Sequence, residues 1–473
     1  MKQYRKAKIL LIALSSLSGL TISGCGGSSE GDPTTLNVIC LNAGYGDAWI
    51  KTIADVWATG NPGYKVNLTT SFDAPSLIQK HLVSKNNEDD VYICVGGSWK
   101  SYAAQGYFLS LDDLLTETVD GTTVEGKVNS EYQKSLSYKG KDGVPHAYRL
   151  PWTSGIGGIY YNAKMFETHG WNIPTTYAEL LTLCQTIKDA KAPVAGSLTD
   201  VVKPFVYTGM NADYFDYAVF TWWAQLAGME SIQSFLNYPD ASVYDARVAN
   251  SAYSYLKQAT GLWDGLFGDS DNWVEGSGTK SNHIAQQNFL NGEAAMMFDG
   301  EWVYNEMLEY VGDQGFPSDF ELRIMKTPTA PNAVDPHASY IVGEDQYMAI
   351  PATSKKPELA KSFLKSIVSD AGCRTFLEKA HGLMAYDFDA EGILPDNAFV
   401  SSVQDYKSNI SATFTNFSNN QMYLSNIIDI WGTSAYRPYS NILADSATVD
   451  SAFSTIATET ARNWDTWKKQ AGL

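Results

Sequence analysis

The first hundred residues alternate strand-like runs with amphipathic segments, and this alternation constrains the fold more than any other feature. Three short strand-like runs, 35–41, 64–68 and 91–95, are each bounded by turn residues. Between them, 48–58 and 77–84 repeat apolar residues at helical spacing. Strands that alternate with helices through short links fold into a sheet covered by helices on both faces. The pattern therefore predicts an α/β fold built on a doubly wound sheet.

The middle of the chain predicts a second domain. At 473 residues the chain is too long for one small core, so we expect two domains. Residues 149–154 (RLPWTS) place a proline between extended residues, as a crossover does, and 159–162 is again strand-like. A capping box at Thr176 and Glu179 starts a helix. The segment 213–227 is apolar nearly all round, which is typical of a central helix.

A polar and aromatic cluster follows one of the strongest strand signals. Ala294–Phe298 is a continuous apolar run with no room for a helix, which is typical of a strand buried on both faces. It ends in Asp299, Gly300, Glu301 and Trp302. Ligands of open α/β sheets bind outside the carboxyl ends of strands, so this cluster is a candidate site. The alternative is that Trp302 belongs to the core and that Asp299 only caps a following helix.

A later segment, 340–351 (YIVGEDQYMAIP), has the pattern of two paired strands with an acidic turn between them. The turn contains Glu344 and Asp345. We therefore expect the two halves of this segment to pair with each other, with Asp345 as a candidate ligand contact.

The N-terminus has the pattern of an export signal. Residues 1–8 contain four basic residues, and the apolar stretch 9–20 is too short to span a bilayer as a stable helix. Residues 22–25 (ISGC) resemble the lipobox of bacterial lipoprotein precursors. Cleavage before Cys25 would leave its thiol to carry a lipid, and 25–34 would form a flexible tether. The pattern predicts a protein held by this lipid at the extracytoplasmic face of the cell membrane.

The charge balance indicates which ligands are unsuitable. The full sequence has a formal net charge of −18, and removal of the leader takes away four basic residues and no acidic one. Such an acidic protein does not attract nucleic acid or anionic lipid headgroups. A neutral or weakly charged ligand fits better.

The 28 Tyr and 13 Trp residues also suit a protein that stacks on flat ligands, although large cores use the same residues.

Motifs for the common catalytic chemistries are missing from the sequence. The six histidines form neither H-E-x-x-H nor H-x-H pairs, so the sequence predicts no transition-metal site. No phosphate-binding loop and no G-x-S-x-G elbow is present. Residues 387–392 resemble the start of a calcium loop, but Ala398 stands where the bidentate Glu is needed. We therefore expect no cofactor and no metal.

Four cysteines remain after Cys25. They lie far apart in core-like surroundings and contain no C-x-x-C motif, so we expect free buried thiols. These cysteines are Cys40, Cys94, Cys184 and Cys373.

Trp or Tyr beside hydrogen-bonding residues recurs at the ends of predicted strands. Aromatic faces match the C–H faces of pyranose sugars, while carboxylates, amides and Arg bind the hydroxyl groups. Trp222 and Trp223 cannot both face the same side of their helix, so at least one of them is expected in the core. The pattern predicts glycan binding without an evident reaction. The candidate ligand-binding residues are Tyr45, Asp47, Trp99, Trp152, Trp223, Asp299, Glu301, Trp302, Asp345, Trp431 and Arg437.

Six segments taken in order resemble a known family. They are 61–66 (NPGYKV), 90–92 (DVY), 106–114 (GYFLSLDDL), 150–162 (LPW to YYN), 289–302 (FLNG to GEW) and 343–360. In this order they are similar to the extracellular solute-binding proteins of bacterial ABC importers, in the carbohydrate-binding family that includes the maltose-binding protein. The resemblance extends over nearly all of residues 35–473.

The resemblance implies a two-lobed, periplasmic-binding-protein-like fold. Each lobe would be a central sheet flanked by helices, with the ligand in the cleft between lobes that close by a hinge motion. Lobe 1 would comprise 35–150 plus 327–375, and lobe 2 would comprise 151–326 plus 376–473. The closed protein would dock on a membrane permease that a separate ATPase drives.

The resemblance also implies roles for several candidate residues. Asp299 and Glu301 stand where small or polar residues are more usual in the family. Two acids favour a neutral, hydroxyl-rich ligand over a uronate, whereas Arg437 favours a uronate. The identity of the sugar is therefore left open. By this resemblance, Trp302 would stack on the sugar, and Trp152 would lie in the crossover. Trp99 and the loop from Tyr45 to Asp47 would lie on the rim of lobe 1. Residues 431–437 would form the C-terminal wall of the cleft.

The sequence therefore predicts a monomeric, lipid-anchored substrate-binding subunit for the uptake of a sugar or oligosaccharide, without catalysis of its own. Two alternatives stay open. In the first, Asp299 and Glu301 form the acid pair of a glycoside hydrolase or lyase. In the second, a protein of the same fold binds a non-sugar solute such as a polyamine or a peptide.

Overall fold

The chain folds into two four-stranded sheets that are flanked by helices. In this computed structural model the described residues are 32–96, 99–133, 135–236, 239–343, 346–410, 412–414 and 438–470. The strands are β1 (Thr35–Leu41), β2 (Lys65–Ser71), β3 (Val91–Cys94), β4 (Thr118–Val119), β5 (Thr122–Thr123), β6 (Ser137–Lys139), β7 (Pro145–Ala147), β8 (Gly157–Asn162), β9 (Lys203–Val206), β10 (Ala294–Gly300), β11 (Leu322–Met325), β12 (Ala338–Tyr340), β13 (Tyr347–Ala349) and β14 (Ala412–Phe414).

The α-helices cover both sheets and include several short turns of helix. They are α1 (Ala48–Gly60), α2 (Ala74–Leu82), α3 (Trp99–Ala104), α4 (Asp112–Thr116), α5 (Val124–Lys127), α6 (Ser130–Gln133), α7 (Ala163–His169), α8 (Tyr177–Ala190), α9 (Asp216–Ala227), α10 (Met229–Leu236), α11 (Ala252–Phe267), α12 (Asn282–Leu290), α13 (Val303–Val311), α14 (Pro357–Val368), α15 (Asp370–Ala380), α16 (Ala398–Ser408), α17 (Tyr439–Leu443) and α18 (Val449–Gln470).

The first sheet forms the core of the first lobe and has the strand order β13-β3-β1-β2. β1 pairs in parallel with β2 and β3, and β13 adds an antiparallel edge. Leu36, Val38 and Cys40 of β1 pack on one face of the sheet, and Ile39 and Leu41 pack on the other. Successive side chains of a strand point to opposite faces, so both faces of this sheet contribute to a core. The doubly wound arrangement predicted from the sequence is confirmed.

The second sheet forms the core of the second lobe and has the order β11-β8-β10-β9. β10 is parallel to β9 and antiparallel to β8, and all of its residues are buried. A 3-10 helix, Gly209–Phe215, leads into α9, in which every residue except Ala227 is buried. The predicted central helix of the second domain is therefore confirmed.

The segment 340–351 does not form the predicted pair of strands. β12 pairs with β14, whereas β13 pairs with β3 of the first sheet. The prediction is wrong because the chain crosses from one lobe to the other between β12 and β13. Two strands that are close in sequence therefore belong to different sheets.

Three chain segments connect the lobes, and we call them the first, second and third hinge segments. Among the described residues, the first comprises 149–156, the second comprises 341–343 and Gln346, and the third comprises 381–386. The first leads from β7 to β8, the second joins β12 to β13, and the third follows α15. Leu150 of the first segment forms an antiparallel β-bridge with Met348 of β13, the strand that follows the second segment.

The first hinge segment lies between the other two. The Val342 N–H donates to the Gly155 carbonyl (2.9 Å), and the Ala385 N–H donates to the Trp152 carbonyl (3.1 Å). Gly155 has a φ of +64°, and a Cβ at this position would lie 1.3 Å from the Val342 carbonyl oxygen. Only glycine permits both this backbone conformation and this approach of the two segments.

The predicted boundary between residues 375 and 376 lies inside a helix. α15 continues to Ala380, and its Phe376 and Ala380 pack in the core of the first lobe. The ring of Phe376 meets that of Trp49 from α1 at 5.0 Å between centroids. The predicted boundary between residues 326 and 327 also differs from the structure, because Ala330, Ala338 and Tyr340 pack in the second-lobe core. The rest of the assignment of the chain to the two lobes stays a prediction.

Cys40, Cys94, Cys184 and Cys373 are free and buried, as predicted. Within the described ranges, the helices lack the combination of length and apolar character that is needed to cross a bilayer. Residues 1–24 and Cys25 lie outside the described part of the chain.

Candidate functional site

Four of the predicted residues meet where the two lobes join. Tyr45 lies in the loop after β1, Glu301 and Trp302 follow β10, and Trp152 lies in the first hinge segment. The Tyr45 ring is 5.7 Å from that of Trp152 and 6.1 Å from that of Trp302, and both contacts are edge-to-face. We call these four residues the inter-lobe cluster.

Trp302 packs against both lobes and is only partly buried. Its indole N–H lies 3.3 Å from the Tyr214 hydroxyl oxygen, and its ring also contacts Tyr217. On the first-lobe side it meets Gly44, where an added Cβ would lie 2.7 Å from the Trp302 Cβ. The Trp302 indole thus occupies the boundary between the lobes, with aromatic side chains of the second lobe around it.

Glu301 is fully buried at the same boundary. Its Oε1 accepts hydrogen bonds from the hydroxyls of Tyr45 (2.9 Å) and Ser154 (2.8 Å), and its Oε2 accepts from the Leu383 N–H (3.1 Å). Burial raises the pKa of Glu301 to about 7, although the three hydrogen bonds favour the ionised form. The carboxyl group therefore connects the first lobe, two hinge segments and the end of β10.

Asp299 is also fully buried, but it faces the interior of the second lobe. Its Oδ2 accepts from the Gln286 side-chain amide (3.1 Å), which also donates to Glu306 (2.6 Å). Burial, together with the nearby Glu306, holds the pKa of Asp299 well above its usual range. Asp299 near the end of β10 and Glu301 directly after it therefore have separate partners.

Two predicted aromatic contacts are covered by other side chains. The Trp152 ring stacks on Trp49 (5.7 Å), and its indole N–H donates to the Cys94 carbonyl (3.1 Å). Trp99 is 2% exposed and lies in the first-lobe core, with the Arg149 guanidinium 4.8 Å from its ring. The flat faces of both rings are therefore occupied by protein.

Asp47 and Trp223, like Trp99, lie outside the inter-lobe cluster. Asp47 accepts a hydrogen bond from Thr70 (2.7 Å) and pairs with Lys51 (2.7 Å) at the start of α1. Trp223 lies in the second-lobe core, where its indole N–H donates to the Ala252 carbonyl (2.7 Å). These contacts tie each residue to its own lobe.

Three predicted ligand contacts, Asp345, Trp431 and Arg437, lie outside the described residues. Gln346, which follows Asp345, is buried in the second hinge segment. Its side-chain oxygen accepts from the Trp152 N–H (2.9 Å), and its side-chain amide donates to the Thr153 carbonyl (2.6 Å). Gln346 therefore holds the first and second hinge segments together.

Sequence reasoning missed three residues at the edges where ligands of such sheets bind. Phe72 directly follows β2 and is 70% exposed, and Met210 lies just beyond β9 and is 69% exposed. Tyr214, in the 3-10 helix after β9, contacts the Trp302 indole. β2 is parallel to β1, and β9 is parallel to β10, so these residues lie at the same sheet edges as the inter-lobe cluster. The rule that ligands bind beyond strand ends, applied to β2 and β9, would have found them.

The described residues contain no group of three or more His, Cys, Asp and Glu side chains that could hold a metal ion. A surface cavity of about 700 Å³ lies between β11 and α16, away from the inter-lobe cluster. Arg323, Lys326 and Asp405 are among the residues that line it. The cavity is therefore separate from the four residues that meet at the hinge.

The sequence matches known proteins over most of its length. A family model described as bacterial extracellular solute-binding protein matches residues 42–372. The diacetylchitobiose binding protein DasA of Streptomyces coelicolor is 24% identical over 418 residues, which are 85% of each chain. The multiple sugar-binding protein of Streptococcus mutans is 24% identical over 196 residues, which are 40% of this chain and 43% of that protein.

Solved structures share the fold. A chitin oligosaccharide binding protein has a TM-score of 0.64 and 16% identity, and the alignment covers 92% of this chain and all of that one. A protein from work on xylan utilization by Caldanaerobius polysaccharolyticus has a TM-score of 0.67 and 17% identity, with 90% of this chain and 99% of that chain covered. These likenesses confirm the two-lobed α/β fold.

The family match covers well over half of the chain. It includes every strand of the second sheet and three of the four strands of the first. The chain belongs to the bacterial extracellular solute-binding protein family.

Proposed function

We propose that this protein is the substrate-binding subunit of an ABC importer and that it captures a sugar or oligosaccharide between its lobes. The observation that carries the proposal is the aromatic group around Trp302, which lies beyond the carboxyl ends of strands from both sheets. Relatives with sugar-binding names support the ligand class. Closure of the lobes would retain the sugar until the permease receives it.

The chemistry of the boundary suits a neutral, hydroxyl-rich ligand. Aromatic faces offer apolar contact to the C–H face of a pyranose. The Tyr214 hydroxyl lies 3.3 Å from the Trp302 indole nitrogen, and the Tyr217 ring also contacts the Trp302 ring. The strongly acidic chain disfavours anionic ligands by long-range repulsion. We propose Trp302, Tyr214, Phe72 and Met210 as the first ligand contacts to test.

A glycan-cleaving enzyme is the weaker alternative. Asp299 and Glu301 are both fully buried, and each carboxyl group is occupied by protein hydrogen bonds. An acid and a base that flank a glycosidic bond must both reach the substrate. The burial of these two carboxyl groups therefore favours a binding protein without catalysis.

The place of the protein at the cell surface is part of the same proposal. The basic leader, the ISGC sequence and the Gly- and Ser-rich tether support attachment through a lipid on Cys25. A monomer held in this way on the extracytoplasmic face would remain close to its permease. Labelling with a fatty acid in cells tests the attachment, and a Cys25→Ser chain that still takes up the label would contradict it.

Titration calorimetry against a ligand panel tests the proposed function. The panel contains N,N′-diacetylchitobiose, longer chitin oligosaccharides, xylooligosaccharides and raffinose, with spermidine and a short peptide as non-sugar ligands. We expect saturable binding of at least one glycan and no release of cleaved product. Tight binding of spermidine or the peptide with no glycan binding would favour the non-sugar alternative, and product release would show an enzyme.

A further inference from the structure

One buried side chain links both lobes to the hinge. We propose that Glu301 is a positioning residue for lobe closure: it holds the Tyr45 loop of the first lobe and the third hinge segment against the end of β10. This inference rests on the proposed function only because lobe closure is what would retain a solute.

The bonds of Glu301 come from parts of the chain that must move relative to one another. Tyr45 is 256 residues away in the sequence and belongs to the first lobe, whereas Glu301 follows the central strand of the second sheet. Ser154 and Leu383 belong to the first and third hinge segments. The proposal requires that opening of the cleft moves the Tyr45 loop away from β10 and so lengthens or breaks the bond between Tyr45 and Glu301.

A neighbouring residue reinforces the same contact. The Asn305 side-chain amide, on the first turn of α13, donates to the carbonyls of Tyr45 (3.2 Å) and Ala380 (2.8 Å). Its side-chain oxygen lies 2.7 Å from Nδ1 of His381. Glu301 and Asn305 thus bind the Tyr45 loop from one end of β10, and both also contact residues at or beside the third hinge segment.

The Glu301 carboxyl has no compensating cation beside it. Among the described residues it forms no ion pair, and its partners are two hydroxyls and one backbone N–H. The titratable groups around it are Tyr45 from the first lobe, Tyr160 from β8 and, farther off, Lys407 from α16. Asp299 on its own strand faces away toward Gln286.

The state of this carboxyl depends on whether water reaches it. Burial raises the pKa of Glu301 to about 7, and a hydrated carboxyl titrates near its ordinary value of 4.5. A conformation that admits water to Glu301 therefore releases its proton more readily. Acidification from pH 8 to pH 6 should consequently favour the closed arrangement, because the buried form binds the proton more tightly.

Two measurements on the mature, ligand-free chain test the proposal. Mass spectrometry measures hydrogen exchange at the Leu383 amide, and small-angle scattering measures the separation of the lobes. The variants are Glu301→Ala, Glu301→Gln and Tyr45→Phe. Glu306→Gln is the control for a partly buried carboxyl whose hydrogen bond, from the Gln286 side chain, stays within the second lobe. Tyr177→Phe is the control for a tyrosine whose hydroxyl bond, to the Leu262 carbonyl, stays within the second lobe.

We expect Glu301→Ala to raise exchange at Leu383 about fivefold or more, since the N–H loses its acceptor. Glu301→Gln should keep much of the protection but remove the difference in lobe separation between pH 6 and pH 8. Tyr45→Phe should enlarge the radius of gyration, and both controls should leave exchange and radius unchanged. If Glu301→Ala fails to fold, Tyr45→Phe and Glu301→Gln still decide the matter.

The proposal would be overturned if Glu301→Ala left the exchange rate at Leu383 unchanged. It would also be overturned if Tyr177→Phe enlarged the radius of gyration as much as Tyr45→Phe does. The proposal would also be overturned if Glu301→Gln kept the wild-type difference in lobe separation between pH 6 and pH 8. Because no sugar is present in these measurements, a glycan panel without binding would contradict the proposed function and leave this inference standing.

Discussion

The core around α9 and the boundary after β10 use tryptophan in two different ways. On α9, the indole N–H groups of Trp222 and Trp223 donate to backbone carbonyls of the same lobe, and both rings are buried. After β10, the Trp302 indole meets a tyrosine hydroxyl and packs against both lobes. The tryptophans of α9 therefore stabilise the core of a single lobe. The contacts of Trp302 join two lobes and can change if the lobes move relative to each other. Four substitutions can break or sharpen this comparison.

Trp223→Ala should have the largest effect, and it should be on stability. The substitution leaves a large cavity in the second-lobe core and removes the bond to Ala252, so we expect a loss of about 3–5 kcal/mol in the free energy of unfolding. Urea unfolding measures it. A small loss in stability accompanied by a selective loss of sugar affinity would instead restore Trp223 as a ligand contact.

Glu301→Gln should change how stability depends on pH. Burial raises the pKa of Glu301 to about 7, above its ordinary value of 4.5. The stabilisation from the bound proton is therefore fully present below about pH 4.5 and is lost as the pH rises through 7. In the variant, the slope of unfolding free energy between pH 5 and pH 7 should shrink by up to about 1.4 kcal/mol per pH unit.

Glu306→Gln is the comparison for that slope, since burial also raises the pKa of Glu306, which lies near Asp299. It should flatten the slope as well, without altering hinge exchange. Urea titrations at four pH values measure both variants. A slope in Glu301→Gln equal to that of the wild type would show that Glu301 titrates normally.

Trp302→Ala should affect binding more than stability. We expect the affinity for the best glycan of the panel to fall about tenfold or more, because an aromatic face for the sugar is lost. Trp467→Ala is the control, since Trp467 is also only partly buried but lies on α18. Calorimetry measures both variants, and unchanged affinity in Trp302→Ala would remove this residue from the site.

Phe72→Ala should have the smallest effect. Its ring is mostly exposed, so the free energy of unfolding should change by less than about 0.5 kcal/mol, while glycan affinity should fall about threefold. Val83→Ala, another exposed apolar side chain in the first lobe, should change neither quantity. Equal affinity for wild type and Phe72→Ala would show that ligand contacts do not extend to β2.

Local sequence patterns predicted the elements better than their connections. The apolar runs identified β1 and β10, and the all-round apolar pattern identified α9, because side-chain periodicity is a local property. The pairing of β13 with β3 was missed because the partner strands are about 250 residues apart. No local pattern shows that the chain changes lobes between β12 and β13.

The candidate site was predictable in position but not in its contacts. The end of β10 was recognised from a strand that stops at an acidic and aromatic cluster. The burial of Glu301 was not, because its partners Tyr45 and Leu383 are 256 and 82 residues away. Trp99 was chosen because it follows a predicted strand, and Trp223 was chosen by residue type. Neither criterion tells a ring that packs in the core from one that faces a ligand.

The approach of Gly155 to the Val342 carbonyl has a practical consequence for protein engineering. Any side chain at residue 155 would clash with the Val342 carbonyl and push the first and second hinge segments apart. Alanine there would force these two segments apart, which should shift the balance between open and closed arrangements without altering a residue of the inter-lobe cluster. A fluorescent reporter of solute capture could therefore have its detection range adjusted at this one position, while its selectivity among solutes is left intact.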